Sequence, residues 1–153
     1  KKTLIAYATK GKATEEAAEL IAKILRNNYD LEVDLVDLRE DSPDIDKYEN
    51  VVIGTGVRMQ RVYKRGLKFM ENDFSDKKVA VFLSSLEGGD EKSHDEAITK
   101  YIVKEANKRL NVEPLASEAF GGRIRIFGFT LQDNIDRAKI EKWAGEIGEK
   151  FAE

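Results

Sequence analysis

Short apolar runs alternate with amphipathic stretches along the chain. Strongly apolar runs occupy residues 3–8, 51–53 and 79–83, and the last of these is apolar at every position. Such runs are typical of parallel strands that are covered by helices on both faces of a sheet. Residues 31–36 instead mix apolar and acidic positions with a period of two, which predicts a strand at the edge of the sheet.

Helical spacing follows the apolar runs, because apolar residues recur there at intervals of three and four positions. The first such helix is expected to bury Ala17, Leu20, Ile21, Ile24 and Leu25. The second helix is expected to bury Val62, Leu67, Phe69 and Met70. A third helix, capped by Ser93, is expected to bury Ala97, Ile98, Tyr101, Ile102, Ala106 and Leu110. The final helix is expected to bury Ile140, Trp143, Ala144, Ile147 and Phe151.

Five strands that alternate with four or five helices predict one α/β domain spanning residues 1–153, in which a parallel sheet carries helices on both faces. An extended segment is expected to follow Pro114 and to run through Phe120 as the fifth strand. Residues 123–127 alternate like a further strand that either extends the fifth strand or forms a hairpin. Ligands of such sheets bind at the carboxyl ends of the strands.

Composition excludes several classes of site. The chain has no cysteine, which excludes disulfides, zinc–thiolate and iron–sulfur centres and thiol catalysis. Its formal net charge of −3 disfavours nucleic acid as a partner. No apolar run approaches the roughly 20 residues that cross a bilayer, and residues 1–6 lack a cleavable signal pattern. We therefore expect a cytoplasmic protein whose mature chain begins at its first strand.

A loop between the first strand and the first helix favours an anion. It combines hydroxyls and a glycine with the free N–H groups and the dipole of a helix start. The candidate phosphate-binding residues are Thr9, Lys10, Gly11, Lys12, Ala13 and Thr14. An ordinary turn that Thr14 caps accounts for the same pattern. The loop is not a nucleotide P-loop, because Ala13 stands where Ser or Thr is required, and no G-x-G-x-x-G is present.

Two further loops follow the third and fourth strands. Glycines at positions 54 and 56 allow the backbone to approach a flat ligand closely. The candidate ligand-binding residues are Thr55, Gly56, Val57, Arg58, Met59 and Gln60 in one loop, and Ser84, Ser85, Leu86, Glu87 and Gly88 in the other. Together with the phosphate loop, they suit an elongated phosphorylated ring compound. Asp37, after the second strand, is interpreted as a solvated strand end.

The chain resembles the flavodoxin family along essentially its whole length, from residues 3–9 through the hydroxyl-rich loop to the helix that ends near Leu25. More narrowly, residues 51–54 followed by 57–58, and residues 120–122, resemble the branch that includes menaquinone-dependent protoporphyrinogen oxidase. The resemblance implies a five-stranded sheet in the order 2-1-3-4-5 and an FMN cofactor. It also implies that the FMN phosphate lies on the first loop and the isoalloxazine between the other two.

The sequence departs from many flavodoxins in the aromatic residues that stack on the flavin, since neither ring-binding loop contains one. Arg58 or Met59 is the expected substitute, although Met59 equally suits the core. Gly56, or otherwise Gly54, is the candidate for a peptide near flavin N5, with close packing as the alternative role. Lys10 and Lys12 predict salt-sensitive phosphate binding if either ammonium group reaches the phosphate.

The leading functional hypothesis is an electron carrier that exchanges low-potential electrons with redox proteins, as a monomer or weak dimer, without catalytic side chains or a metal. The alternative is an FMN-dependent oxidase or quinone reductase of the protoporphyrinogen oxidase type. That branch has a long insertion where only about a dozen residues here separate Phe120 from Asp133. A third hypothesis is a receiver or interaction module of the same fold without flavin. Ala8-Thr9 and Gly54-Thr55 stand where a phosphoacceptor site needs acidic residues, which disfavours phosphotransfer but leaves a binding domain without cofactor open.

Overall fold

The computed structural model describes residues 2–8, 13–58, 61–62, 64–85, 104, 107–121, 123–126, 129–133 and 137–153. The strands are β1 (Lys2–Ala8), β2 (Glu32–Asp37), β3 (Asn50–Arg58), β4 (Arg61–Val62), β5 (Lys78–Ser85), β6 (Ala116–Gly121), β7 (Arg123–Ile126) and β8 (Phe129–Asp133). The helices are α1 (Ala13–Tyr29), α2 (Lys64–Phe69) and α3 (Arg137–Ala152), with a 3₁₀ turn at Ile45–Lys47.

The main sheet has five parallel strands in the order β2-β1-β3-β5-β6, and the short β4 pairs antiparallel with β3. Counting the parallel strands alone, this is the predicted order 2-1-3-4-5. β2 lies at one edge, as its alternating pattern predicts. The flavodoxin-like α/β fold is therefore confirmed.

The core has two halves, one on each face of the sheet. On one face, Ile5, Val52 and Phe82 belong to the cluster that α1 and α3 cover. On the other face, Leu4, Ile53 and further strand residues pack with Phe69, Met70 and Phe74. Because the central strands are buried on both faces, their sequences are apolar at nearly every position.

Helix α1 shows how local sequence fixes an element. Its core stripe includes Ala17, Ile21 and Leu25, all essentially inaccessible to solvent. The helix ends where Asp30 adopts a positive φ of 52°, and the amide of Leu31 donates to the carbonyl of Leu25 over 3.3 Å. This is the left-handed closure that commonly ends helices.

The structure confirms the final helix, begins the helix expected around Val62 later, and decides between the two alternatives for the strand that begins at Arg123. The final helix is confirmed, because α3 buries all five residues expected in its stripe. The helix expected to include Val62 begins later, at Lys64, because Val62 pairs with Val57 as part of β4; that assignment of Val62 was wrong. Residues 123–126 pair with 129–133 as a separate antiparallel hairpin, so they do not extend the fifth strand.

The helix expected after Ser93 lies almost wholly outside the described residues, although Leu110 at its end is buried as predicted. Among the helices that are described, none has the length and apolar character needed to cross a membrane.

Candidate functional site

The carboxyl ends of β1, β3 and β5 lie side by side at one edge of the sheet. Ala8 is the register partner of Thr55, and Gly56 is the partner of Ser84. The three loops expected to bind a ligand therefore leave the sheet from neighbouring strands. This juxtaposition is what the parallel topology requires of a binding site.

The described part of the phosphate loop is the start of α1. Ala13 is the first helical residue, and Thr14 lies in the first turn with only 1% of its surface exposed. Glu15 and Glu16 follow in the same turn, and Glu16 pairs with Arg137 of α3 at 3.8 Å. The acidic charge beside the helix start is thus partly balanced. The other candidate residues of this loop, which lie outside the described chain, are Thr9, Lys10, Gly11 and Lys12.

The segment after Gly56 continues as a strand instead of opening directly into a loop. β3 extends to Arg58, and the chain returns as β4, with Val57 opposite Val62 and Arg58 opposite Arg61. β-Branched residues at opposed positions favour such pairing. The expected loop is therefore an antiparallel hairpin whose turn residues, Met59 and Gln60, lie outside the described chain.

Thr55 is fully buried, and its side chain packs against α2. Its Oγ1 lies 3.4 Å from the carbonyl oxygens of Ala8 and Gly56. A Cβ added at Gly66 of α2 would come within 2.6 Å of that Oγ1. Because the side chain is enclosed by the protein, only the main chain of Thr55 is left for contact with a ligand.

Ser84 is the polar residue that closes the row of strand ends. Only 4% of its surface is exposed, and within the described chain its Oγ has no hydrogen-bond partner. An unsatisfied buried hydroxyl costs about 1–3 kcal/mol. A ligand with polar groups placed at this edge would remove that cost, so the residues present fit a cofactor such as FMN. Ser85 ends β5, and Leu86, Glu87 and Gly88 lie outside the described chain.

Gly54 has a packing role that needs no ligand. Its register partner is Phe82, and a Cβ on Gly54 would come within 2.2 Å of the ring. The Phe82 ring also contacts Phe120 and Trp143, with centroids 5.7 and 6.0 Å away. Close packing alone therefore explains why position 54 is a glycine. Gly56 remains the candidate for a peptide that contacts a flavin.

Comparison with known proteins identifies the family. A family model described as a flavodoxin domain matches residues 4–147. The chain belongs to the flavodoxin domain family. No curated protein matches the sequence.

Solved flavodoxins share the fold of this family member. Flavodoxin 1 of Bacillus cereus is 20% identical with a TM-score of 0.65, and the match covers 97% of this chain and 98% of that one. Flavodoxin 2 of the same organism is 24% identical with a TM-score of 0.63, over 98% and 99%. A Fusobacterium nucleatum flavodoxin bound to flavin mononucleotide is 16% identical with a TM-score of 0.58, over 97% and 98%. The narrower resemblance to the protoporphyrinogen oxidase branch is not supported by these matches.

One pair at the edge of this flavodoxin site was missed by the sequence interpretation. Asp37 is not simply solvated: it accepts hydrogen bonds from Arg39 Nε at 3.2 Å and Nη2 at 2.9 Å. These bonds lower the pKa of Asp37. Arg65 of α2 donates to the carbonyl oxygens of Leu38 and Arg39. The close spacing of Asp37 and Arg39 in the sequence could have predicted their pairing. No sequence pattern indicates that Arg65 approaches Arg39, which lies 26 residues earlier.

Tyr7 lies at the end of β1 beside this pair and is only 9% exposed. Burial is the main cause that raises its pKa, and the carboxylates of Glu15 and Asp37 raise it further. The phenol is therefore neutral throughout the physiological range and contributes no charge to the site.

Proposed function

We propose that this flavodoxin-family protein carries electrons on an FMN held at the carboxyl edge of its sheet. The chain is an FMN-binding electron-transfer protein, and the observation that carries this conclusion is the family match over residues 4–147. FMN supplies the redox chemistry when it is bound. The polypeptide binds it, sets its potential and leaves an edge accessible to partners.

The phosphate of FMN is assigned to residues 9–14. Support comes from the position of Thr14, which is buried in the first turn of α1, the helix that follows β1 in the chain. The first N–H groups of a helix have no partner within the helix and favour an anion. Lys10 and Lys12 add positive charge to the same loop and oppose the charges of Glu15 and Glu16.

The isoalloxazine is assigned to the space between the β3–β4 hairpin and the end of β5. Support comes from the register pairing of Gly56 with Ser84 and from the unpartnered Oγ of Ser84. Ser84 both donates and accepts hydrogen bonds, so it suits a polar group of FMN. The main chain of Thr55 and Gly56 provides further polar groups. The remaining residues assigned to the ring are Val57, Arg58, Met59 and Gln60 in the hairpin, and Ser85, Leu86, Glu87 and Gly88 after β5.

We assign no catalytic side chain to this edge, because a bound FMN supplies the electron chemistry. The electron donors and acceptors are redox proteins. We place the protein in the cytoplasm as a monomer or weak dimer, in line with its cysteine-free sequence.

The proposal is tested by titrating the purified apoprotein with FMN and recording visible absorption and flavin fluorescence. We expect one FMN per chain, quenched fluorescence and stepwise reduction by dithionite. Absence of binding in both redox states, with the apoprotein shown to be folded by circular dichroism, would overturn the function.

Riboflavin, which lacks the phosphate, is the matched control ligand. It is expected to bind more weakly than FMN, and equal affinity would overturn the phosphate assignment alone. Repeated turnover of a quinone with protoporphyrinogen by the loaded protein would replace the carrier by the oxidase alternative.

A further inference from the structure

Positive charge is concentrated in one segment of this acidic chain. Between residues 50 and 70 there is no Asp or Glu, whereas the chain as a whole has a formal net charge of −3. The basic residues of this segment are Arg58, Arg61, Lys64, Arg65 and Lys68. We name the three exposed residues of α2, Lys64, Arg65 and Lys68, the basic surface.

The basic surface follows the hairpin that leaves the candidate flavin site. Arg58, two residues beyond Gly56, pairs in register with Arg61, and α2 begins three residues later at Lys64. Gly56 in turn pairs with Ser84, whose hydroxyl marks the site. The basic helix α2 therefore follows the β3 side of the proposed isoalloxazine site.

Helix α2 presents two of these charges to solvent. Lys64 and Lys68 are exposed, and their spacing of four residues places them on one face of the helix. Neither has an ion-pair partner among the described residues. Arg65 is exposed as well, but it donates to the carbonyl oxygens of Leu38 and Arg39, and its charge also acts on the Asp37 carboxylate. Lys64 and Lys68 therefore provide the charge that is available to a partner.

We propose that the basic surface docks an acidic patch of a redox partner protein. The inference rests on the proposed function, because it assumes that electrons leave at this edge. Complementary charge raises the encounter rate and orients the partner. The overall negative charge opposes a polyanion such as nucleic acid, whereas a protein contact of about 800 Å² responds to the local charge.

The test measures electron transfer from the reduced holoprotein to two haem proteins, acidic cytochrome b5 and basic cytochrome c. One electron leaves the reduced FMN and converts one ferric haem to the ferrous state. The variant Lys64→Glu/Lys68→Glu is compared with the matched control Lys23→Glu/Lys47→Glu, which makes the same charge change at exposed positions on α1 and the 3₁₀ turn. Flavin content is measured first by absorption for each protein.

At low ionic strength, Lys64→Glu/Lys68→Glu is expected to reduce the second-order rate constant with cytochrome b5 by about tenfold. The rate constant with cytochrome c should not fall, and the control variant should stay close to wild type with both probes. Salt should slow the wild-type reaction with cytochrome b5.

Equal losses in both double variants, or a wild-type rate with cytochrome b5 that rises with salt, would overturn the docking proposal while leaving FMN binding intact. Binding of the wild-type holoprotein to anionic phosphatidylglycerol vesicles, without any effect of the Lys64→Glu/Lys68→Glu change on cytochrome b5, would assign the surface to a membrane instead. Failure of wild type to bind FMN would overturn the proposed function itself.

Discussion

Gly54 lies directly against the ring of its cross-strand partner Phe82. A Cβ on Gly54 would come within 2.2 Å of Phe82 Cζ and 2.5 Å of Cε1. The ring has little freedom to move, because Phe120 and Trp143 contact it and it is fully buried. The glycine is therefore required by the packing of β3 and β5 just below the candidate flavin site.

Replacing this glycine should destabilise the fold. Gly54→Ala is expected to lower the free energy of unfolding by about 1–3 kcal/mol, because the added methyl group overpacks a rigid aromatic cluster. Urea denaturation of the apoprotein measures the change. In the Gly54→Ala/Phe82→Leu double variant, the two losses should be less than additive. A Gly54→Ala protein as stable as wild type would show that the ring yields.

Two glycines of α3 offer a matched comparison at positions with the same helical backbone. A Cβ at Gly148 would come within 2.5 Å of the Tyr29 ring, whereas one at Gly145 would meet Tyr29 Oη at an ordinary 3.6 Å. Gly145→Ala should raise the free energy of unfolding by up to about 1 kcal/mol through helix propensity. Gly148→Ala should lower it by about 1–3 kcal/mol through overpacking. Equal shifts in thermal unfolding for the two variants would contradict this distinction.

The parallel sheet follows from sequence because burial on both faces leaves a strong local signal. The continuous apolar run around Val81 and the alternation around Val33 predict a central and an edge strand, and both are found. The buried apolar stripe of α3 is equally predictable from the sequence, because Trp143 and Ile147 recur at helical spacing. Such patterns depend on near neighbours in the chain.

Features made by contacts between distant segments leave no comparable signal. The expected loop after Gly56 is a hairpin in which Val57 pairs with Val62. The sequence did not predict this hairpin, because the two residues of β4 are too few to show an alternating pattern. Arg65 donates to the carbonyl of Leu38 although 27 residues separate the two in the sequence. For the site, the sequence indicated the three strand ends, while the burial of the Ser84 hydroxyl is known only from the fold.

Asp73 should contribute to acid stability. Its carboxylate accepts hydrogen bonds from the hydroxyl and amide of Ser75 at 2.6 and 3.0 Å and from Asn111 Nδ2 at 2.8 Å. These bonds lower its pKa from 3.8 to about 2. A lowered pKa stabilises the folded state above pH 3.8, and this contribution is lost as the pH falls through about 2.

The variant Asp73→Asn is therefore expected to have a lower Tm than wild type at neutral pH. The difference in Tm should shrink between pH 4 and 2, where wild type loses the same interaction. The control is Asp76→Asn, because Asp76 is an exposed neighbour without a side-chain hydrogen bond among the described residues, and asparagine tolerates its positive φ of 68°. A difference between Asp73→Asn and wild type that stays constant down to pH 2 would refute the assignment.

Ser84→Ala should affect the apoprotein and the FMN complex in opposite directions. In the apoprotein, removing a buried hydroxyl that lacks a partner is expected to be neutral or slightly stabilising. In the complex, loss of a hydrogen bond to the cofactor should raise the Kd for FMN about tenfold, which corresponds to about 1.4 kcal/mol.

Fluorescence titration and urea denaturation measure the two effects separately. Ser117→Ala, in the interior of β6, is the control and should leave the Kd unchanged. If Ser84→Ala destabilises the apoprotein and binds FMN as tightly as wild type, the Ser84 hydroxyl is satisfied by the polypeptide and not by the cofactor.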